Sequence, residues 1–130
     1  MADELEKTGK KVLLFGFDDL NLILAVQKAL EPFGAELVPV GKRDHGKTLA
    51  VLTGVSEEIE PGDSGTVPER MAVLCGLTEQ LDELLPALNA AGAGGCLKAA
   101  LTRYNINWSA ARLYTELSME RDAIRKKNQK

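Results

Sequence analysis

The sequence predicts a small three-layer α/β domain with a four-stranded, mainly parallel sheet, and three observations lead there. Two unbroken apolar runs, Lys11-Val12-Leu13-Leu14-Phe15 and Met71-Ala72-Val73-Leu74-Cys75, each end at a glycine. A strand without polar alternation is one covered on both faces. A helical pattern stands between each successive pair of strand-like runs, which favours parallel neighbours joined by crossovers. At 130 residues the chain suffices for one core of this kind. A two-layer ferredoxin-like plait is the alternative, since two βα halves around an antiparallel sheet also satisfy the pattern.

Residues 1–10 are mostly polar and read as a flexible tail ahead of a single domain spanning 11–125. After the first strand and Gly16, Asp18 or Asp19 is placed to cap a helix over residues 20–30. Its apolar stripe is Leu22, Val26, Ala29, Leu30 and Phe33, and Pro32 and Gly34 stop it. Residues 35–40 make a weaker strand, in which Pro39 lacks a ladder donor and so suits an edge. A basic, Gly-bounded turn, 41–48, leads into a brief helical patch, Leu49 to Leu52. From about 56 to 69 the chain is acidic and rich in Gly and Pro. It reads as a mobile loop with too little apolar surface to offset ordering.

The second half repeats the first: apolar strand, Gly76, the large apolar Leu77, then a helix start with Thr78 as cap. Shared βα geometry and duplication both account for this. Leu81, Leu84, Leu85 and Leu88 form the next stripe, and Pro86 should kink or shorten that helix. Residues 96–101 are the fourth strand. In the last helix Ser109 is the natural N-cap, with Trp108 and Leu113 at the spacing of a hydrophobic staple. Arg112 stands where a capping box would place Glu or Gln. Leu113, Leu117 and Ile124 point to one side, with Tyr114 beside them. The basic end, 126–130, reads as cations complementing a helix C-terminus rather than as a binding tail.

A net charge of −3 gives no global attraction to nucleic acid or anionic lipid. No apolar run is long enough to cross a bilayer, and the charged start lacks the apolar core of a signal peptide. The expectation is a cytoplasmic protein with no membrane or nucleic-acid partner. Cys75 and Cys96 are far apart and outside any CxxC, so they read as two buried reduced thiols. Adjacent acids such as Asp18-Asp19 attract hard cations, but acids opening a helix serve as caps, and neither metal nor cofactor is expected. His45, the single histidine, has no partner at catalytic spacing and reads as solvated. No nucleophile–base pair can be assembled, which argues against an enzyme.

Two stretches carry the candidate chemistry. Gly41-Lys42-Arg43-Asp44-His45-Gly46-Lys47-Thr48 satisfies the G-x-x-x-x-G-K-[ST] phosphate-loop pattern. In such a loop backbone N–H groups wrap the phosphates, Lys47 reaches the terminal ones and the Thr48 hydroxyl holds Mg²⁺. Against this stand the brevity of the following helix, the poor central strand made by Pro39, and the lack of a later strand ending in a metal-binding Asp. The plainer reading of Gly41, Gly46, Lys47 and Thr48 is a basic flexible turn.

The second stretch runs from Leu101 to Ser109 and holds the only Trp and one of two Tyr. Thr102, Asn105, Asn107 and Trp108 follow the carboxyl end of a strand, where open α/β sheets bind ligands. In a parallel sheet Asp18, Asp19 and Thr78 would gather at the same edge. The competing reading has Asn and Thr satisfying loop backbone while Trp108 staples the helix.

Leu13-Leu14-Phe15-Gly16-Phe17, Thr48-Leu49 with Leu52 and Gly54, and Val73-Leu74-Cys75-Gly76-Leu77 are short shared patterns. Leu97-Lys98-Ala99-Ala100-Leu101-Thr102, then Asn105, Asn107-Trp108-Ser109, Leu113 and Glu116-Leu117, are more specific. On these residues the chain, from about Val12 onward, resembles a bacterial family catalogued as domain of unknown function 3783. Arg112 departs from the acidic residue that members tend to carry, and members do not generally carry the phosphate-loop pattern. The resemblance implies fold and compartment and brings no activity. The functional expectation is a non-catalytic module binding a small ligand or protein partner along the Thr102–Trp108 edge. Nucleotide-phosphate binding or weak NTPase activity through residues 41–48 is the alternative. A homodimer burying a sparsely covered face is a third reading.

Overall fold

The structure is a computed structural model that describes residues 8–56 and 65–128. Much of the acidic loop expected over 56–69 therefore lies outside the described residues, as do residues 1–7 and 129–130. Four strands, β1 (Lys11–Phe15), β2 (Glu36–Val40), β3 (Met71–Cys75) and β4 (Leu97–Ala100), form one sheet in the order β2-β1-β3-β4. The β1–β2 and β3–β4 pairs are parallel. The central β1–β3 pair is antiparallel, with Lys11 opposite Cys75 and Phe15 opposite Met71. The expected four-stranded α/β sheet forms with two of its three pairs parallel, and it is mixed because the central pair is antiparallel.

Among the described residues of the connection from β2 to β3 the one α-helix, α2 (Leu49–Leu52), is about 6 Å long, against about 17 Å for a five-residue strand, and is too short to act as a crossover helix. The ferredoxin-like plait does not form either, because the parallel strands of each half are immediate neighbours and helices cover both faces.

The two halves meet about the Leu13–Val73 pair as an approximate two-fold. Gly16 and Gly76 close the central strands at φ +75° and +70°, a region that other residues enter only with strain. A Cβ on Gly16 would lie 3.0 Å from the Glu69 carbonyl, and one on Gly76 2.5 Å from the Gly9 carbonyl. Each glycine thus ends its strand against the residue two positions ahead of the opposite one. The sequence repeat has a matching spatial symmetry. Residues 8–10 are already packed there, with Thr8 buried, so the described part of the expected tail belongs to the fold.

On one face, α1 (Leu20–Leu30) and α3 (Leu81–Leu88) cover Val12, Leu14, Ala72 and Leu74 through Val26, Leu30, Leu84 and Leu88. On the other, α2, residues 101–109 and α4 (Ala110–Asn128) cover Leu13, Phe15, Met71, Val73 and Cys75. Burial pushes the Cys75 thiol up to about 12. Both cysteines are free thiols, Cys96 only half-buried. Asp19 is the cap of α1, accepting from the Asn21 and Leu22 N–H groups at 2.9 and 3.4 Å. Thr78 caps nothing: it opens a 3-10 turn, and α3 begins at Leu81 without a side-chain cap. Leu85 turns outward rather than into the stripe. Pro86 stays inside an eight-residue α3, which passes into a widened turn ending near Gly92 at φ +104°.

Pro39 lies on edge strand β2 as its missing donor requires. The Glu36 N–H bonds back to the Lys10 carbonyl at 2.9 Å, and alternation then turns the Pro39 nitrogen outward. Helix α4, with 19 residues, outruns the core. Leu113 is buried and Leu117 half-buried, but Ile124 is 60% exposed and does not join their stripe. The outer part is held by Glu69, which accepts from the Tyr114 hydroxyl at 2.6 Å and from both Arg121 terminal nitrogens at 2.9 and 3.0 Å. No described helix is long and apolar enough to cross a membrane.

Candidate functional site

The fold joins the two stretches that carry candidate chemistry. Thr48 and Ser109 form an isolated antiparallel bridge. The Leu49 N–H donates to the Trp108 carbonyl at 2.9 Å and the Ala50 N–H to the Ile106 carbonyl at 2.8 Å. In return, the Ala110 and Ala111 N–H groups donate to the Lys47 and His45 carbonyls, each at 3.1 Å. The Arg112 N–H donates to the Ser109 hydroxyl at 3.0 Å. The first donors of α4, orphaned by helix geometry, are thus satisfied by its own N-cap and by a turn far away in sequence.

This use of the 41–48 turn shapes what it can do. Its Asp44, His45 and Lys47 N–H groups bond to the Gly41, Lys42 and Asp44 carbonyls at 3.0, 3.2 and 3.1 Å. Thr48 Oγ1 accepts from the Val51 N–H at 3.3 Å as the cap of α2. Lys47 Nζ sits 2.8 Å from the Asp44 carboxylate and, chiefly through that hydrogen bond, holds the Asp44 carboxyl below its ordinary value. Neither Gly41 nor Gly46 has a positive φ. A phosphate cradle needs several N–H groups aimed outward together, and here three of them are bonded to carbonyls of the turn itself.

His45 is buried, with 1% of its surface exposed, and not solvated. Its ring stands edge-on to Phe15 with centroids 5.5 Å apart. Nδ1 accepts the Val67 N–H at 3.1 Å, and Nε2 has no partner among the described residues. The apolar context of Phe15 and Val67 takes in the imidazole as core, which a local reading of the charged turn could not show.

Residues 101–108 are held by a reciprocal pair. Asn105 Oδ1 accepts the Thr102 N–H at 2.8 Å and Nδ2 donates to the Ala100 carbonyl at 3.1 Å. Thr102 Oγ1 accepts the Tyr104 and Asn105 N–H groups, both at 3.2 Å. Thr102 and Asn105 therefore serve the loop's own backbone. What the loop presents is different: Tyr104 is 79% exposed, Asn107 is exposed, and Trp108 is half-buried against the core. The Arg112 guanidinium lies over the Trp108 ring, 4.1 Å from its centroid. Sequence reasoning noted Arg112 only as a defective capping box.

Of the other residues expected at this edge, Thr78 lies at the same end of the sheet and the two acids do not. Because β1 runs against β3 and β4, Asp18 and Asp19 follow β1 at the end of the sheet opposite to Thr78 and Thr102. Asp18 lies 3.9 Å from Arg70. No cluster of three metal-ligating side chains occurs among the described residues.

Residues 70–124 match the family model described as Domain of unknown function (DUF3783). No curated protein and no solved structure matches the chain. The DUF3783 stretch runs from β3 through α3 and β4 to most of α4, and so includes Thr102, Asn105, Trp108 and Arg112. The patterns at 13–17 and 48–54 lie outside it, as does the 41–48 turn.

Proposed function

We propose that this protein is a non-catalytic protein-binding module, engaging its partner through the surface formed where residues 102–112 meet the 41–48 turn. The observation that carries the reading is Tyr104, 79% exposed on a loop whose backbone is fixed by the Thr102–Asn105 hydrogen bonds. A large aromatic held outward on a rigid loop loses little conformational freedom on binding. The stacked Trp108–Arg112 pair belongs to the same loop and the helix after it. Tyr, Trp and Arg are the residues in which binding energy concentrates at protein interfaces. The family resemblance and the two free cysteines support placing the module in the bacterial cytoplasm, where thiols stay reduced.

The test is photo-crosslinking in the producing cells, with benzoylphenylalanine at Tyr104 and, as control, at Gln27 on α1, exposed on the opposite face. A discrete protein adduct from position 104 and none from 27 is the expected result. No adduct at 104, or the same adduct from both positions, sinks the reading.

A further inference from the structure

We infer that the partner is acidic, and that the Arg112 guanidinium, held over the Trp108 ring, receives a carboxylate of a peptide segment. This rests on the proposed protein-binding role of the same surface. Charge is segregated here against the protein's net −3. Lys42, Arg43 and Lys47 lie in the turn bridged to Ser109, and Arg112 lies three residues beyond it. The only acid in that turn, Asp44, is ion-paired to Lys47. Among the described residues Lys42, Arg43 and Arg112 have no ion-pair partner.

Arg112 also runs against local preference. It occupies the first turn of a 19-residue helix with no acid there, where a cation opposes the dipole and Glu or Gln would complete the cap. The nearby backbone donors are already used by His45, Lys47 and Ser109, so the receiving group is the guanidinium rather than the helix end. A guanidinium held over an aromatic face is restrained there and keeps N–H donors for bidentate carboxylate recognition. The same contact argues against nucleic acid. A base would need the ring face of Trp108, and one face is taken by Arg112 while the residue is packed on the core.

Trp108 is the only tryptophan, so its fluorescence reports on this site. The experiment titrates the full-length protein with hexaglutamate, with hexaserine and with a thymidine oligonucleotide at low salt. A saturable change with hexaglutamate and none with hexaserine is expected, weakening as salt rises. Arg112→Gln should weaken it about tenfold, the worth of one charged hydrogen-bond pair. Glutamine suits a capping box, so this variant keeps its melting temperature and the loss is not unfolding. Lys42→Ala with Arg43→Ala, on an exposed turn, should weaken binding severalfold. No saturable change, an unchanged response in Arg112→Gln, or tighter binding of the oligonucleotide each overturns the inference. The Tyr104 crosslink is independent of these titrations. An adduct without hexaglutamate binding rejects the acidic partner and leaves the module; no adduct rejects both.

Discussion

Replacing Asn105 by alanine removes an acceptor and a donor that close the 101–108 loop. The Thr102 N–H loses its 2.8 Å bond and the Ala100 carbonyl its 3.1 Å bond. An orphaned backbone group costs about 1–3 kcal/mol when water cannot replace its partner. Thr102 and Ala100 are half-buried, so the lower end applies to each, and the loss should total about 2–3 kcal/mol. Asn105→Asp keeps the acceptor for Thr102 but sets a carboxylate oxygen against the Ala100 carbonyl. It should lose more than about 1 kcal/mol, since one bond is replaced by repulsion. Urea unfolding followed by Trp108 fluorescence measures both, with the slope checked so that the midpoint shift reports stability alone. A loss under about 0.5 kcal/mol in the alanine variant, the range of an uninvolved surface residue, would refute the reasoning. Asn105 would then be free to hold a ligand.

Three other perturbations follow from the same geometry. Gly76→Ala should destabilise by more than the roughly 1–2 kcal/mol of a left-handed residue, because its Cβ would fall 2.5 Å from the Gly9 carbonyl. Gly16→Ala, at 3.0 Å from Glu69, should cost less; an equal loss in denaturant unfolding would contradict the packing. Arg121 first and Tyr114 second hold the Glu69 carboxyl near a pKa of about 2. Its folded value lies below its unfolded one, so its stabilisation is present above pH about 4.5 and is lost as pH falls toward 2. Glu69→Gln should flatten that part of the stability–pH curve, by no more than about 1 kcal/mol for so exposed a pair; an unchanged curve would show that the clamp is not populated. Millimolar ATP, GTP or GDP with Mg²⁺ should leave the melting temperature unmoved, since the Asp44, His45 and Lys47 N–H groups bond within the turn, Lys47 pairs with Asp44 and Thr48 caps α2. A Mg²⁺-dependent rise abolished by Lys47→Ala would restore the phosphate-binding reading.

Much of the fold was legible because it is local. The unbroken apolar runs marked β1 and β3, Asp19 and Ser109 marked helix starts, and the missing N–H of Pro39 marked an edge. These signals depend on side-chain chemistry within a few residues, which folding does not alter. Where the helix surface competed with its neighbours, local reading fell short: Leu85 turns outward between the buried Leu84 and Leu88, and Ile124 continues its stripe in sequence but stands where the core has ended. The site was legible as two stretches and not as one surface. Bonds such as Ala111 N–H to the His45 carbonyl join segments with no mutual signature in the chain.

By itself, the sequence determined which residues are strands and helices, that apolar strands need cover on both faces, and that each half ends its strand at a glycine. The tertiary structure alone decided strand direction at the centre of the sheet, because an apolar run buried on both faces reads the same in either direction. It decided that His45 is core, through Phe15 and Val67, and that Thr102 and Asn105 are scaffold, through the carbonyl and N–H they find in their own loop. It also set Arg112 on Trp108, a contact that arises only when the corner and the last helix are built together.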